Sequence, residues 1–531
     1  MYDLLIKNGT IVDGTGRPMY RADLAVRDER IVALGDLSHE RALREIDATG
    51  KYITPGFIDV NNHSDTYWQL LADPLLESML RQGVTTVIGG NSGSSLAPLS
   101  DPSVMRSIQK WTDVERINFN WLSMAEFLTE VERREPGVNF ATLVGHGTIR
   151  RGAMKDETRT ITPDEIAIME RFLKSAMKEG AIGLSTGLRY THARGAGARE
   201  LAELARTAVA EGGIYATYVR DEEEGLVKSV EEALLVAREA KVPIHISHLK
   251  AVGEKNWPLM DEVFNLIETA ALNDVAVTFD VYPYTSTGSV LYTLLPEWVT
   301  EKGRKMMIEQ LRDRQTYLAV LRDMRKNATD YSQVIIAVST LSKMLTRRRI
   351  SEIATLQGKT PEEVVLDLLL ASDGRAIVSM EVLSEKNVLR AIQHPFSIIS
   401  SNGVGYDVKH KETGDLVHPR NFGTFPKVFA EYVRRQKALS WEEAVHKMTG
   451  MPANKFKLSK RGEIAEGYFA DLVIFDPETI ADQATMEDPY QYPVGIMAVI
   501  VNGSVALDGE TVGAKRYGQV LRQKKKGFFP W

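Results

Sequence analysis

The chain has 531 residues, 44% of them hydrophobic and 26% charged, the balance of a soluble globular protein rather than a disordered or collagen-like one. Its net charge of -6, from 65 basic and 71 acidic residues, gives no electrostatic case for nucleic acid, and no apolar run is long enough to predict a bilayer span. The lack of cysteine excludes disulfides, thiolate metal ligands and cysteine nucleophiles. At roughly 150 residues per domain, with barrels often larger, the length predicts two or three domains. The N-terminus has no basic region followed by an apolar core, so a signal peptide is not expected and the cytoplasm is the expected location.

The first fifty residues read as short strands, at 4–7, 10–12, 22–26 and 31–34, punctuated by turns at Asn8-Gly9, Asp13-Gly14 and Asp28-Glu29. The same texture returns at 470–475, 499–501 and 505–507, around Asn502-Gly503. Neither end carries enough strands for a stable core of its own, so the two are expected to pair into one β-sandwich domain, residues 1–55 plus 463–515. Between them, strand-like runs at 57–60, 85–88, 140–144, 183–185, 214–218, 244–248, 275–281 and 396–401 alternate with helical stretches such as 162–180 and 198–211. Repeated β-then-α predicts a parallel α/β architecture, and eight such runs favour a (β/α)8 TIM-like barrel over residues 56–462. A charged, helix-prone stretch at 296–345 breaks the alternation and reads as a connecting helix pair or a lid. The tail, 516–531, ends in three lysines and Phe528-Phe529-Pro530-Trp531; it reads as a disordered end or a dock on a neighbouring subunit, so a homo-oligomer is possible.

Barrel enzymes carry their chemistry at the C-terminal ends of the strands, and polar residues recur there. His63 follows the first run and Ser92 the second; His146 lies between Gly145 and Gly147 after the third. Tyr218 closes the fifth, His248 and Lys250 the sixth, Tyr282 and Tyr284 follow the seventh, and Asn402 follows the eighth. His245 and His248 are three apart, so on a strand they face opposite sides. Only one can enter a shared pocket, and Lys250 has the parity of His248, which is therefore the expected site residue.

Several strings resemble the D-aminoacylase (N-acyl-D-amino-acid deacylase) group of the amidohydrolase superfamily, over nearly the whole chain. They run from Ile6-Lys7-Asn8-Gly9-Thr10-Ile11-Val12-Asp13-Gly14 and Pro55-Gly56-Phe57-Ile58-Asp59 through Gly183-Leu184-Ser185-Thr186-Gly187-Leu188, Ser247-His248-Leu249-Lys250 and Tyr282-Pro283-Tyr284. His418-Pro419-Arg420, Gly423-Thr424-Phe425-Pro426 and Ala470-Asp471-Leu472-Val473 complete the series. The resemblance implies a (β/α)8 barrel, a β-sandwich from both termini and zinc at the barrel mouth.

The departures lie at the metal positions. Asn61 stands for the first histidine of the family's His-x-His pair, Ser92 for its bridging cysteine, Tyr218 for a histidine and Asn402 for the aspartate of Ser-Asp-Gly. Only His63 and His248 keep their usual type. Serine and asparagine lend zinc neither charge nor strong donation, and a tyrosine of ordinary pKa, about 10, binds as phenolate only at a cost. Asn402 also cannot take the proton that the aspartate accepts from attacking water. The expected metal site, His63 with His248, is thus weak or absent, with no tightly bound cofactor and zinc possible.

The resemblance further implies that Lys250, Tyr282 and Arg420 hold a substrate carboxylate, with Ser92 and His146 as additional binding candidates. Arginine suits this role because its planar fork makes two parallel hydrogen bonds; the alternative is that Arg420 braces its own loop through Asp415. The expected catalytic set is His63, His248, Tyr218 and Asn402, with a histidine as acid or base and Tyr218 as donor to an oxyanion. The expected function is hydrolysis, or another reaction, at the C–N bond of an N-acyl amino acid or related small carboxylate. The alternatives are a non-catalytic protein that binds a ligand or partner, and a zinc-dependent deacylase with a rearranged ligand set.

Overall fold

The computed structural model describes residues 1–108, 119–155, 157, 159–301, 303–326, 329–339 and 341–523. Eight parallel strands, at Phe57–Asp59, Val84–Gly89, Asn139–Thr142 continuing as Val144–Gly145, Gly183–Gly187, Ile214–Tyr218, Ile244–Ile246, Val277–Val281 and Ser397–Ile399, coincide with the eight runs read from the sequence. The third strand pairs with the second before Leu143 and with the fourth after it. A parallel bridge between Asn62 and Gly403 joins the first strand's end to the eighth's and closes the barrel.

The barrel interior is packed rather than hollow. Ile58, Ile88, Leu143, Ile214, Ala216 and Ile398 meet there, with Phe456 and Leu458 below them, as filled layers of branched side chains require. Helices surround the strands. That at Pro163–Lys178 begins with a capping box between Thr162 and Glu165 and a proline in its first turn, both of which satisfy or remove orphan N–H groups. It buries Met169 and Leu173 in the same cluster as Leu201 and Leu204 of the next helix, Ala198–Ala210.

The two ends of the chain build a sandwich. A four-stranded sheet orders Arg30–Gly35, Asp23–Arg27, Tyr2–Lys7 and Ala42–Asp47. A seven-stranded sheet sets Leu472–Phe475 antiparallel to Tyr52–Pro55, with Leu472 opposite Pro55 and Phe475 opposite Tyr52. Leu4, Ile6, Leu24 and Ile31 pack against Ile53, Leu472, Ile474 and Ile500 between them.

The stretch expected at 296–345 is the middle of a larger body inserted between the seventh and eighth barrel strands. Its three-stranded antiparallel sheet places Ile377–Glu381 between Ser286–Val290 and Val334–Val338. A separate hydrophobic cluster, from Leu291 to Met380, gives this body its own core. Ser286–Val290 carries a single apolar residue and does not stand out in the sequence, whereas the apolar strand Val334–Val338 lies inside the stretch that reads as helix-prone. Towards the C-terminus, the main chain of Gln519 and Leu521 pairs with Phe140, at the start of the third barrel strand. The aromatic end, Phe528 to Trp531, lies outside the described residues, as does any docking by it. No helix among the described residues is long and apolar enough to cross a membrane.

Candidate active site

The strand ends converge on one cavity of about 990 Å³, whose walls include His63, Ser92, Tyr218, His248, Lys250, Asn402 and Arg420. Ser92, His248 and Asn402 all adopt left-handed backbone conformations, with φ of 52°, 37° and 45°. Non-glycine residues avoid this region, and such strain collects at functional sites. The turn that carries Ser92 is wedged against the fourth strand's end: a Cβ on Gly187 would lie 2.0 Å from the Ser92 carbonyl oxygen, so glycine is required in that strand for the turn to approach.

Two polar clusters face this cavity. In one, His63 Nε2 lies 2.9 Å from Asn402 Oδ1. In the other, the Tyr218 hydroxyl donates to Glu222 Oε2 at 3.0 Å, and Lys250 donates to Glu222 Oε1. Lys250 also reaches His248 Nδ1 at 2.9 Å and the His248 carbonyl oxygen at 3.1 Å. The rings of Tyr218 and His248 meet edge to face at 4.4 Å. Burial alone would raise the Glu222 carboxyl, but the Lys250 ammonium, His248 and Arg189 outweigh it and hold the group ionised well below its usual range. Burial, and then Lys250, lower the His248 pKa, so a neutral ring accepts from Lys250 at Nδ1 and carries its proton on Nε2. Burial, reinforced by Glu222, keeps the Tyr218 phenol protonated far above its ordinary pKa.

Beneath the mouth lies a second, fully buried layer. His245 points into the barrel and binds Asp280 through Nε2 at 2.9 Å, while His248 lines the cavity. Asn61 turns its amide to Asp280 at 3.3 Å, and Asn62 donates to Asp59 at 2.9 Å. The asparagines before His63 therefore serve buried carboxylates.

Three expected binding residues take positions the sequence did not convey. His146 is not among the residues lining the cavity. After Gly145 the chain turns at once into the helix His146–Met154, and the ring, fully buried, binds Glu200 at 2.8 Å beside Arg150. Lys250 borders the cavity, but Glu222, His248 Nδ1 and the His248 carbonyl engage the three donors of its ammonium. Tyr282 lies behind the cavity wall, its ring 5.1 Å from the Arg420 Cζ. Arg420 itself does not brace its loop through Asp415, which faces His410 at 3.8 Å. Its Nε and Nη1 are buried without a hydrogen-bond partner among the described residues, and so is the Tyr282 hydroxyl. Glu222 was legible only as one letter of the acidic run Asp221-Glu222-Glu223-Glu224; the signal was that a lysine buried at Lys250 needs a counter-charge.

No group of three His, Asp or Glu that could hold a metal occurs among the described residues. The zinc implied by the resemblance does not fit this donor set. Ser92, Tyr218 and Asn402 are neutral; the Lys250 ammonium occupies His248 Nδ1, and Asn402 engages His63 Nε2.

Residues 44–507 match the Amidohydrolase family. The chain is 37% identical to a D-aminoacylase of Alcaligenes xylosoxydans xylosoxydans, over 98% of this chain and 97% of that one. It is 36% identical to an N-acyl-D-aspartate deacylase of the same organism, over 98% and 95%. A crystal structure of D-aminoacylase superposes with a TM-score of 0.84 at 35% identity, over 98% of this chain and all of the other. An N-acyl-D-glutamate deacylase of Bordetella bronchiseptica, in complex with zinc and a phosphonate inhibitor, superposes at 0.83 with 31% identity and the same coverage. With its closed barrel, its two-ended sandwich and these likenesses along nearly its whole length, the chain belongs to the amidohydrolase family, in its D-aminoacylase group.

Proposed function

We propose that this protein is a cytoplasmic hydrolase that cleaves the amide bond of an N-acyl amino acid, or a related small carboxylate, at a mouth holding at most a weakly bound metal. The observation that carries this reading is Arg420, whose Nε and Nη1 are buried without partners on the wall of the cavity that also holds His63 and His248. Guanidinium nitrogens buried without a counter-ion are costly, and a carboxylate fits the fork of an arginine with two parallel bonds.

With the carboxylate there, water adds to the acyl carbon. Asn402 Oδ1 accepts the Nε2 hydrogen of His63, so the basic nitrogen is Nδ1, which takes the proton from water. The Tyr218 hydroxyl, released from Glu222, donates to the oxyanion. The C–N bond then breaks as the leaving nitrogen takes back the proton held by the His63 imidazolium, while the neutral ring of His248 donates a hydrogen bond through Nε2. Lys250 and Glu222 position that ring rather than binding the anion.

The test pairs elemental analysis with turnover of N-acetyl-D- and N-acetyl-L-amino acids after mild chelation. Turnover should persist with well under one tightly bound transition metal per chain. One or two zinc ions surviving dialysis would favour a rearranged zinc deacylase, and saturable binding without turnover a binding protein.

A further inference from the structure

Residues of the inserted body line the cavity. In its sheet Gly288 and Ser379 are directly opposed, and opposed residues of an antiparallel pair project to the same face. Both line the cavity with Arg420. A Cβ built on Gly288 would stand 4.0 Å from Arg420 Nη2 and 3.7 Å from the Val378 carbonyl oxygen, in van der Waals contact with both, so this face of the sheet lies next to the guanidinium. Gly288 has no left-handed backbone to explain its identity; a side chain larger than a methyl group there would press on Arg420 and fill the gap beside it. Ser379, on the central strand, is 5% exposed, and its hydroxyl has no hydrogen-bond partner among the described residues. Buried hydroxyls are normally satisfied, and this one projects from the sheet face that meets Arg420 Nη2 at Gly288.

We infer that the inserted sheet forms the second wall of the anion subsite: Ser379 donates from the sheet to the carboxylate that Arg420 holds from the barrel, and Gly288 leaves room for it. This rests on the proposed function and deepens it, because specificity for an N-acyl amino acid is then read jointly by barrel and insertion. A carboxylate so placed accepts two bonds from the guanidinium and one from the hydroxyl, within the capacity of its two oxygens.

The experiment is calorimetric titration of the intact protein with a panel of N-acetyl-D- and N-acetyl-L-amino acids, with melting curves of each variant. Ser379→Ala should weaken binding of the best ligand roughly tenfold, as loss of a hydrogen bond to a charged group does, with its melting transition unchanged. Gly288→Val, a good strand residue, should abolish binding and still melt as wild type does. Arg420→Ala separates the two readings. If it weakens binding while Ser379→Ala binds like wild type, or loses affinity only together with its melting transition, the second wall is wrong and the anion subsite stands. If neither variant changes affinity, or the wild type binds none of the panel, both readings fall.

Discussion

His63 and Asn402 follow the first and last strands of the barrel, 339 residues apart, and meet with Nε2 2.9 Å from Oδ1. The bridge between Asn62 and Gly403 that closes the barrel lies beside them, so closure itself sets their distance. An amide acceptor there fixes a tautomer without adding charge, which a carboxylate would do. On the proposed reading, donor identity rather than barrel geometry weakens metal binding at this mouth. The variant Ser92→Cys, Tyr218→His and Asn402→Asp combined should bind zinc roughly 100-fold or more tighter than wild type, because thiolate, imidazole and carboxylate replace three neutral groups. Competition against a chromophoric chelator measures it. Equal affinity in variant and wild type would show that the backbone, not the donors, prevents binding.

Arg420 offers two buried donors without partners, Nε and Nη1. Arg420→Lys keeps the charge but loses the fork, so binding of N-acyl amino acids should weaken by roughly 1 to 3 kcal/mol. Arg420→Ala should weaken it at least as much. Calorimetry decides: equal binding by wild type and Arg420→Ala, with only an earlier melt, would mean that the arginine is structural.

Asp59 gives a pH signature. It is fully buried beneath the mouth and accepts from Asn62 and from the Ser401 amide, each at 2.9 Å. Burial raises its pKa from 3.8 to about 6. Between these values the folded chain holds a proton that the unfolded chain has released, so stability falls as pH rises through that window. The cost, on the order of 3 kcal/mol, is then fully present above it. Asp59→Asn cannot ionise. Its unfolding free energy relative to wild type should therefore rise by about that amount between roughly pH 4 and 7. A pH-independent difference in denaturant titrations would show that Asp59 does not ionise within the fold.

The barrel was legible because its strands are short β-rich runs bounded by glycine and polar turns, a periodicity that survives in one dimension. The sandwich was legible for the same reason at both ends. The inserted body was underestimated because one of its three strands, Ser286–Val290, is serine, threonine and glycine up to its last residue, which do not read as a strand. At the site, position along a strand end told which residues gather but not how they share hydrogen bonds. That Lys250 spends its donors on Glu222 and His248, and that His146 turns into a helix towards Glu200, are choices made by partners distant in sequence. Ser379 left no trace at all, since nothing in Val378-Ser379-Met380 marks a hydroxyl without a partner.

The pairing of the two termini makes a strong prediction about truncation. Removing residues 465–531 takes out Leu472–Phe475, Ile496–Val501 and Ser504–Asp508, and leaves Tyr52–Pro55 with an open edge where Leu472–Phe475 had paired. Leu472, Val473, Ile474, Phe475, Val499, Ile500, Val501 and Leu507 are all buried in the intact protein. At roughly 1.5 to 3 kcal/mol for each large apolar side chain, their combined contribution is as large as the roughly 5 to 15 kcal/mol that holds a typical domain folded, even after allowance for a compact unfolded state. The truncated chain should also expose Ile6, Leu24 and Ile53, which share a core with the missing strands, and an apolar sheet with an open edge invites aggregation. Insoluble protein is therefore expected, and co-expression of residues 465–531 as a separate chain should return part of it to solution. A truncation that stays soluble and melts cooperatively would show that the N-terminal strands and the barrel do not depend on the C-terminal ones.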